Sequence, residues 1–326
     1  MTIETAPASP PAPPSDERVR TVGLLSRLLA RPEVGAIVGT GLIWVFFAIV
    51  AWDNNFASWV TTAAIFNRAA PLGILAIAVA LLMIGGEFDL SIGSIYAFAG
   101  MTIMNLIFPT EGGGLGWSLW PAILVALIFA LAIGAFNGWL VMATKLPSFI
   151  ITLGTLFVFR GLTIALTRWR TNRTQLSGAD EASGFGLADG LFAAEIKMFG
   201  ASFRIAILWW IALTALATWV LLRTKQGNWI FGAGGDDNAA RNQGVPVTRT
   251  KIALFMTTAF AGFLVALIQV IQFNGADTLR GRQQEFFAII AVVIGGTLLT
   301  GGYGSAIGAF FGAMIFAMVQ QGIIIT

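Results

Sequence analysis

Residues 83–94 read MIGGEFDLSIGS. Two carboxylates, Glu87 and Asp89, stand here between PLGILAIAVALLMIG and IYAFAGMTIMNLIF, two runs without a single charge. A charge at mid-membrane costs about 2.5–3.5 kcal/mol on insertion scales, so such a residue faces a bundle interior or sits at a helix end near water. Gly85-Gly86 loosens the end of one helix. Asp89-Leu90-Ser91 then reads as the start of the next, with Asp89 or Ser91 as N-cap accepting backbone N–H groups. Asp89 reads first as that cap. For Glu87 two readings stay open: a lining group of a polar path, or a group that holds the break.

The chain around this stretch is unusually apolar. Of 326 residues, 57% are hydrophobic and 11% charged, where a soluble domain carries about a quarter charged residues. A soluble fold of this size cannot hide so much apolar surface, so the surplus faces lipid. The expected class is all-α, a polytopic transmembrane helical bundle. Cysteine and histidine are both absent. Without histidine the commonest metal ligand and general base are missing, and a Ser-His-Asp triad is excluded. No metal site, cofactor or catalytic residue is expected. A net charge of +3 gives no reason to expect nucleic acid.

The opening TIETAPASPPAPPSDER has no apolar core to bury, so residues 1–17 are expected to be a disordered tail. Residues 18–35 place Leu24, Leu25, Leu28 and Leu29 at helical spacing among arginines, which suits either an amphipathic surface helix or a frayed basic tail. The transmembrane domain is expected over 36–326. Its helices are placed at about 36–52, 71–86, 92–108, 119–143, 147–166, 206–222, 252–273, 286–300 and 303–322.

A second break resembles the first. Residues 294–305 read IGGTLLTGGYGS against IGGEFDLSIGS. Both run Ile-Gly-Gly, a short break, then Gly-Ser. Paired Gly-interrupted segments suggest a weak internal repeat and a path near the membrane midplane. The expected pathway residues are Glu87, Asp89, Ser91, Asn137, Gly295 and Gly296, although Asn137 equally suits a helix–helix hydrogen bond.

Glycine-rich GGTLLTGGYGS lacks the Gly-Lys-Ser/Thr of a P-loop, and GAGGDDNAARNQG follows an apolar helix instead of a strand. Any nucleotide energy must come from another chain. In the polar stretch 223–251, Asp236 and Asp237 can cap Asn238–Arg241, Gly244 can end that turn, and Pro246 blocks continuation. A capped turn there suits either docking into a partner or an ordinary surface loop. With the N-terminus in the cytoplasm, this stretch lies inside with Arg223, Lys225, Arg241, Arg249 and Lys251. The segment 167–205 then lies outside with five bases of its own, so the positive-inside rule is nearly balanced.

Four segments together resemble the membrane permeases of bacterial ATP-binding-cassette importers for ribose, xylose and other simple sugars, of the branched-chain amino acid/ribose type. They are GGEFDLSIGS, LPSFIITLGTLFVFRGLT (146–163), GNWIFGAGGDDNAARNQGVPVTRTK and AVVIGGTLLTGGYGSAIGAFFGA. The resemblance implies a type II importer bundle of about ten transmembrane helices in the bacterial inner membrane. It implies a second permease copy, identical or related, a cytoplasmic ATPase that carries the catalytic activity, and a periplasmic sugar-binding protein. It implies that Gly235, Asp236, Ala239, Ala240, Arg241 and Gly244 form the ATPase-coupling loop, which supports the cytoplasmic placement of 223–251. Phe88 stands where the family has an aliphatic residue, Glu87 is an added acid, and Asp236 replaces an asparagine. The family's last helix is expected to be missing after Thr326. The function so implied is uptake of a monosaccharide or similar polyol. The alternative is an ion-coupled secondary transporter with Glu87 or Asp89 as its ion site.

Overall fold

The computed structural model describes residues 32–326. The expected tail over 1–17 lies outside the described residues, as does all but the end of the expected surface helix over 18–35. Among the described residues the chain forms α1 (Pro32–Val50), α2 (Trp59–Ile84), α3 (Ile92–Ile107), α4 (Leu119–Thr144) and α5 (Ser148–Thr171). It continues through α6 (Ala206–Arg223), α7 (Lys225–Gly235), α8 (Asp237–Asn242), α9 (Val247–Gln272), α10 (Gln284–Ile294) and α11 (Ala306–Ile325). Seven of these are long and apolar enough to cross a membrane, and α3 and α10 are shorter apolar helices. At 1.5 Å per residue α10 is only about 16 Å long, roughly half a bilayer core. The protein is a polytopic helical bundle with broken helices, as its sequence implies.

The bundle is built on two buried helices. Along α2, 18 residues are buried, from Thr61 to Ile84. Helix α9 packs along α4 and α3, and α11 packs against α1 and α2. The α4–α9 crossing is tight because Gly134 and Gly138 are four residues apart on one face. A Cβ at Gly134 would lie 2.6 Å from the Phe255 carbonyl, and one at Gly138 would lie 2.8 Å from Ile252 Cα. On the far side of α2, Trp210 of α6 fills the notch left by Gly73 and stacks on Phe310 at 3.9 Å.

Several boundaries differ from the sequence expectation. Helix α2 begins at Trp59, with Ser58 accepting the Thr61 N–H at its N-cap, and runs straight through Pro71. The polar pair Asn67-Arg68 and the proline hid this first half. Helix α5 runs on to Thr171, ending on Asn172 in the left-handed region. The expected helix 286–300 stops at Ile294, and the next starts at Ala306 instead of 303. The stretch 223–251 is not one loop, since α7 and α8 occupy its centre and α9 begins inside it.

The segment 167–205 is also folded. Strands β2 (Glu195–Met198) and β3 (Ala201–Arg204) form a hairpin. Strand β1 (Gln175–Ser177) pairs antiparallel with β4 (Gly275–Asp277). Asn67 pins the hairpin to α2, donating to the Ser202 carbonyl at 2.9 Å and accepting the Arg204 N–H at 2.8 Å. Thus the hairpin and the β1–β4 pair mark one end of the bundle. The two helix breaks, α7 and α8 mark the other.

Candidate functional site

Both helix breaks are built alike. At the end of α2, the Gly86 N–H donates to the Met83 carbonyl and the Glu87 N–H to that of Leu82. At the end of α10, Gly296 donates to Val293 and Thr297 to Val292. Each is a Schellman cap, and each needs a residue in the left-handed region, supplied by Gly86 at φ 82° and Gly296 at φ 86°. The helices that follow start differently. Ser305 caps α11 through its side chain, accepting the Gly308 N–H at 2.8 Å. Ser91 holds the N-cap position of α3 without a side-chain cap bond.

Helix α7 runs into the place where these breaks meet. The Gly302 N–H donates to the Ile84 carbonyl at 2.8 Å, joining the second break to the end of α2. A Cβ on Gly234 would fall 1.7 Å from that same Ile84 oxygen, and one on Gly301 would fall 2.8 Å from Gly86 Cα. Three segments therefore touch backbone to backbone through glycine.

An ion triad sits over this junction, with Lys251 and Glu87 largely buried and Asp237 partly exposed. Lys251, in the first turns of α9, is 5% exposed. Its Nζ lies 2.7 Å from Glu87 Oε1 and 2.9 Å and 3.0 Å from the two Asp237 carboxylate oxygens. Glu87, Asp237 and Arg241 border one cavity of about 530 Å3 with Lys145 and Met142. Glu87 thus stands at the α8 end of the bundle, neutralised by Lys251.

Asp89 lies deeper and is 1% exposed. One carboxylate oxygen accepts the Ser91 N–H at 2.9 Å and the Ser91 hydroxyl at 2.5 Å. The other accepts the Thr258 hydroxyl at 2.5 Å. Asn137 donates to Ser91 Oγ at 2.8 Å, so α3, α4 and α9 are tied through one polar network. Asp89 therefore precedes the N-cap and braces Ser91, which corrects its expected reading as the cap. Asp89, Ser91 and Asn137 are fully buried and face one another, so here they act as a helix-joining network. Gly295 packs against Gly308, where a Cβ would meet the Gly308 carbonyl at 2.4 Å.

The non-helical stretch 87–91 must satisfy its own backbone inside the protein. Ser148 and Thr152, one turn apart on α5, accept the Phe88 and Leu90 N–H groups at 2.9 Å and 3.0 Å. These two residues, with Thr258 and Lys251, escaped the sequence reading. The four-residue spacing in PSFIIT was the available signal. The pair Arg160–Glu285 escaped it too. Their charged atoms are 3.7 Å apart, and Gly93 leaves the space that Glu285 occupies.

Of the expected coupling residues, Asp236 caps α8, accepting the Asn238 and Ala239 N–H groups at 2.8 Å and 2.9 Å. Asp237 is not a second cap; it is the first helical residue and turns to Lys251. Gly244 closes the turn with φ 80°. Ala240 is buried against Ala233 and Val247, while Gly235, Asp236, Ala239, Arg241 and Gly244 are exposed. A small anchor and an exposed face thus coexist on one short helix. Among the described residues no cluster could hold a metal ion.

The fold is that of a polytopic helical membrane protein with paired helix breaks and a capped short helix at one end. Residues 61–326 match the family described as "Branched-chain amino acid transport system / permease component", and the chain belongs to that family. It is 31% identical to the inner membrane ABC transporter permease protein YjfF of Escherichia coli K12, over 82% of this chain and 76% of that protein. It is 30% identical to the xylose transport system permease protein XylH of the same strain, over 86% and 84% of the two chains. The ribose import permease protein RbsC is 28% identical, over 86% and 83%. No solved structure matches the chain.

Proposed function

We propose that this chain is the translocation subunit of an ATP-driven importer for a monosaccharide or similar polyol. It pairs with a second permease copy, with a separate ATPase at the α8 end and with a periplasmic sugar-binding protein at the hairpin end. The N-terminus and α8 then lie in the cytoplasm, and the membrane is the bacterial inner membrane. The xylose and ribose permeases among the relatives support a sugar as cargo. The observation that carries the reading is the link between α8 and the first break. The exposed face of α8 is held through Asp237–Lys251–Glu87 to the end of α2. A push on α8 by a partner therefore reaches the break, and each state of the transporter is selected by what docks on it. The expected pathway along Asp89, Ser91, Asn137, Gly295 and Gly296 would then open only when these packed segments separate.

The ion-coupled alternative has less support, because Glu87 is already paired with Lys251 and Asp89 already accepts three hydrogen bonds. Uptake in vesicles holding the permease, its ATPase and its binding protein tests the choice. Uptake that needs ATP and survives an uncoupler supports the importer. Uptake that follows an imposed ion gradient, ignores ATP and vanishes in Glu87→Gln overturns it.

A further inference from the structure

At the hairpin end, α2, α9, α10 and α11 leave a cavity of about 500 Å3, within the range of small-molecule sites. Its walls differ from those of the buried networks. The side chains of Gln272, Gln284 and Gln320 border it, and among the described residues none of them makes a hydrogen bond. The three amides are half-buried and face the cavity with their hydrogen-bonding capacity unused among the described residues, so it is available to a solute. An amide both donates and accepts, as a hydroxyl does, so the three suit a ligand rich in hydroxyls.

Arg68 adds charge to the same wall. It is the tenth residue of α2, about 14 Å along the axis from Trp59. It is exposed to the cavity, and among the described residues it has no ion pair. Among the described residues no carboxylate lines the cavity. Arg204, the other cation there, has Glu195 at 3.7 Å, which leaves Arg68 as the uncompensated charge. A guanidinium presents only donors in a planar fork that a carboxylate can meet with two parallel hydrogen bonds. Apolar faces complete the set. Phe287 and Phe316 lie 5.0 Å apart, while Phe273 is already covered by Arg204 and Arg280.

We infer that this cavity binds one polyhydroxylated solute of monosaccharide size that carries a carboxylate. The amides take the hydroxyls, Phe287 and Phe316 take the apolar face of the ring, and Arg68 takes the carboxylate. The inference rests on the reading of the chain as a sugar permease and narrows its substrate class to sugar acids.

The test is direct binding to the full-length permease in lipid nanodiscs, without ATPase or binding protein. D-glucuronate and D-glucose, which differ only in the carboxylate, are the probes. D-glucuronate should bind saturably and at least about tenfold tighter than D-glucose. Arg68→Gln should bring D-glucuronate down to the D-glucose level. Gln320→Leu should weaken it by about tenfold through the hydroxyls, and both variants should keep the parent melting temperature. No saturable binding, equal binding of the two sugars, or D-glucuronate binding that ignores Arg68→Gln overturns the inference. Absent binding beside intact ATP-driven uptake overturns it alone, whereas intact binding beside ATP-independent uptake overturns the importer reading alone.

Discussion

Lys251 Nζ lies 2.7 Å from Glu87 Oε1, although 164 residues separate them in sequence. The same ammonium holds Asp237, the first residue of α8. One cation thus fastens a short exposed helix to a break between two membrane helices. Breaking a buried pair by removing one partner costs about 3–5 kcal/mol, because the remaining charge is left stranded.

Lys251→Met should therefore destabilise the permease by about 3 kcal/mol, chiefly through the stranded Glu87. Asp237 is more exposed and should add little. Melting temperature in detergent reads the loss. Adding Glu87→Gln to Lys251→Met should recover more than half of it. A double variant as unstable as the single would mean that the pair is not what Lys251 contributes.

The glycine junction makes a sharper contrast between neighbours. Gly234→Ala places a methyl 1.7 Å from the Ile84 oxygen, which α7 can relieve only by moving off the breaks. Gly235→Ala points into open space. The first should cost about 1–3 kcal/mol and lower the folded yield; the second should be nearly silent. Equal melting temperatures for the two variants would dissolve the three-way contact.

Asp89 accepts three hydrogen bonds with its two oxygens, so its variants should be graded. Asp89→Asn keeps one acceptor for Ser91 but turns an N–H2 toward Thr258, and should cost about 1–3 kcal/mol. Asp89→Ala loses all three bonds and should cost more. Thr258→Val leaves Ser91 braced and should cost about as much as Asp89→Asn. Membrane levels and thermal stability rank them, and an Asp89→Asn variant indistinguishable from wild type would mean that the bond to Thr258 contributes nothing measurable.

Much of this architecture could be read before any coordinates. The double-glycine breaks were visible because Gly-Gly after an apolar run loosens a helix end, and both helices do end there on a glycine in the left-handed region. The Asp236 cap was visible because a carboxylate two and three residues before free N–H groups has one obvious use. What stayed hidden depended on partners distant in sequence. Nothing local says that Lys251 leaves its basic stretch to meet Glu87, or that Ser148 and Thr152 serve the backbone of 88–90. Helix α2 was cut short because Asn67, Arg68 and Pro71 locally look like a boundary. Only the hairpin that Asn67 binds and the cavity beside Arg68 explain polar residues at that depth.

Orientation is open to a clean chemical test, since the chain has no cysteine. Asn228 on α7 and Ser183 at the opposite end are both exposed. In intact cells Ser183→Cys should react with an impermeant thiol reagent and Asn228→Cys should not. The reverse pattern would turn the protein over and remove α8 from the cytoplasm.

The central claim is that the exposed face of α8 receives the ATPase. Arg241 lies on that face and makes no ion pair among the described residues, so Arg241→Glu should leave the fold intact. The decisive measurement is ATP-driven sugar uptake by Arg241→Glu, with permease level and ATPase pull-down followed in the same membranes. The account predicts a normal permease level, at least about tenfold weaker pull-down and a matching loss of uptake, because the charge on the docking face is reversed. Normal pull-down with normal uptake would contradict it.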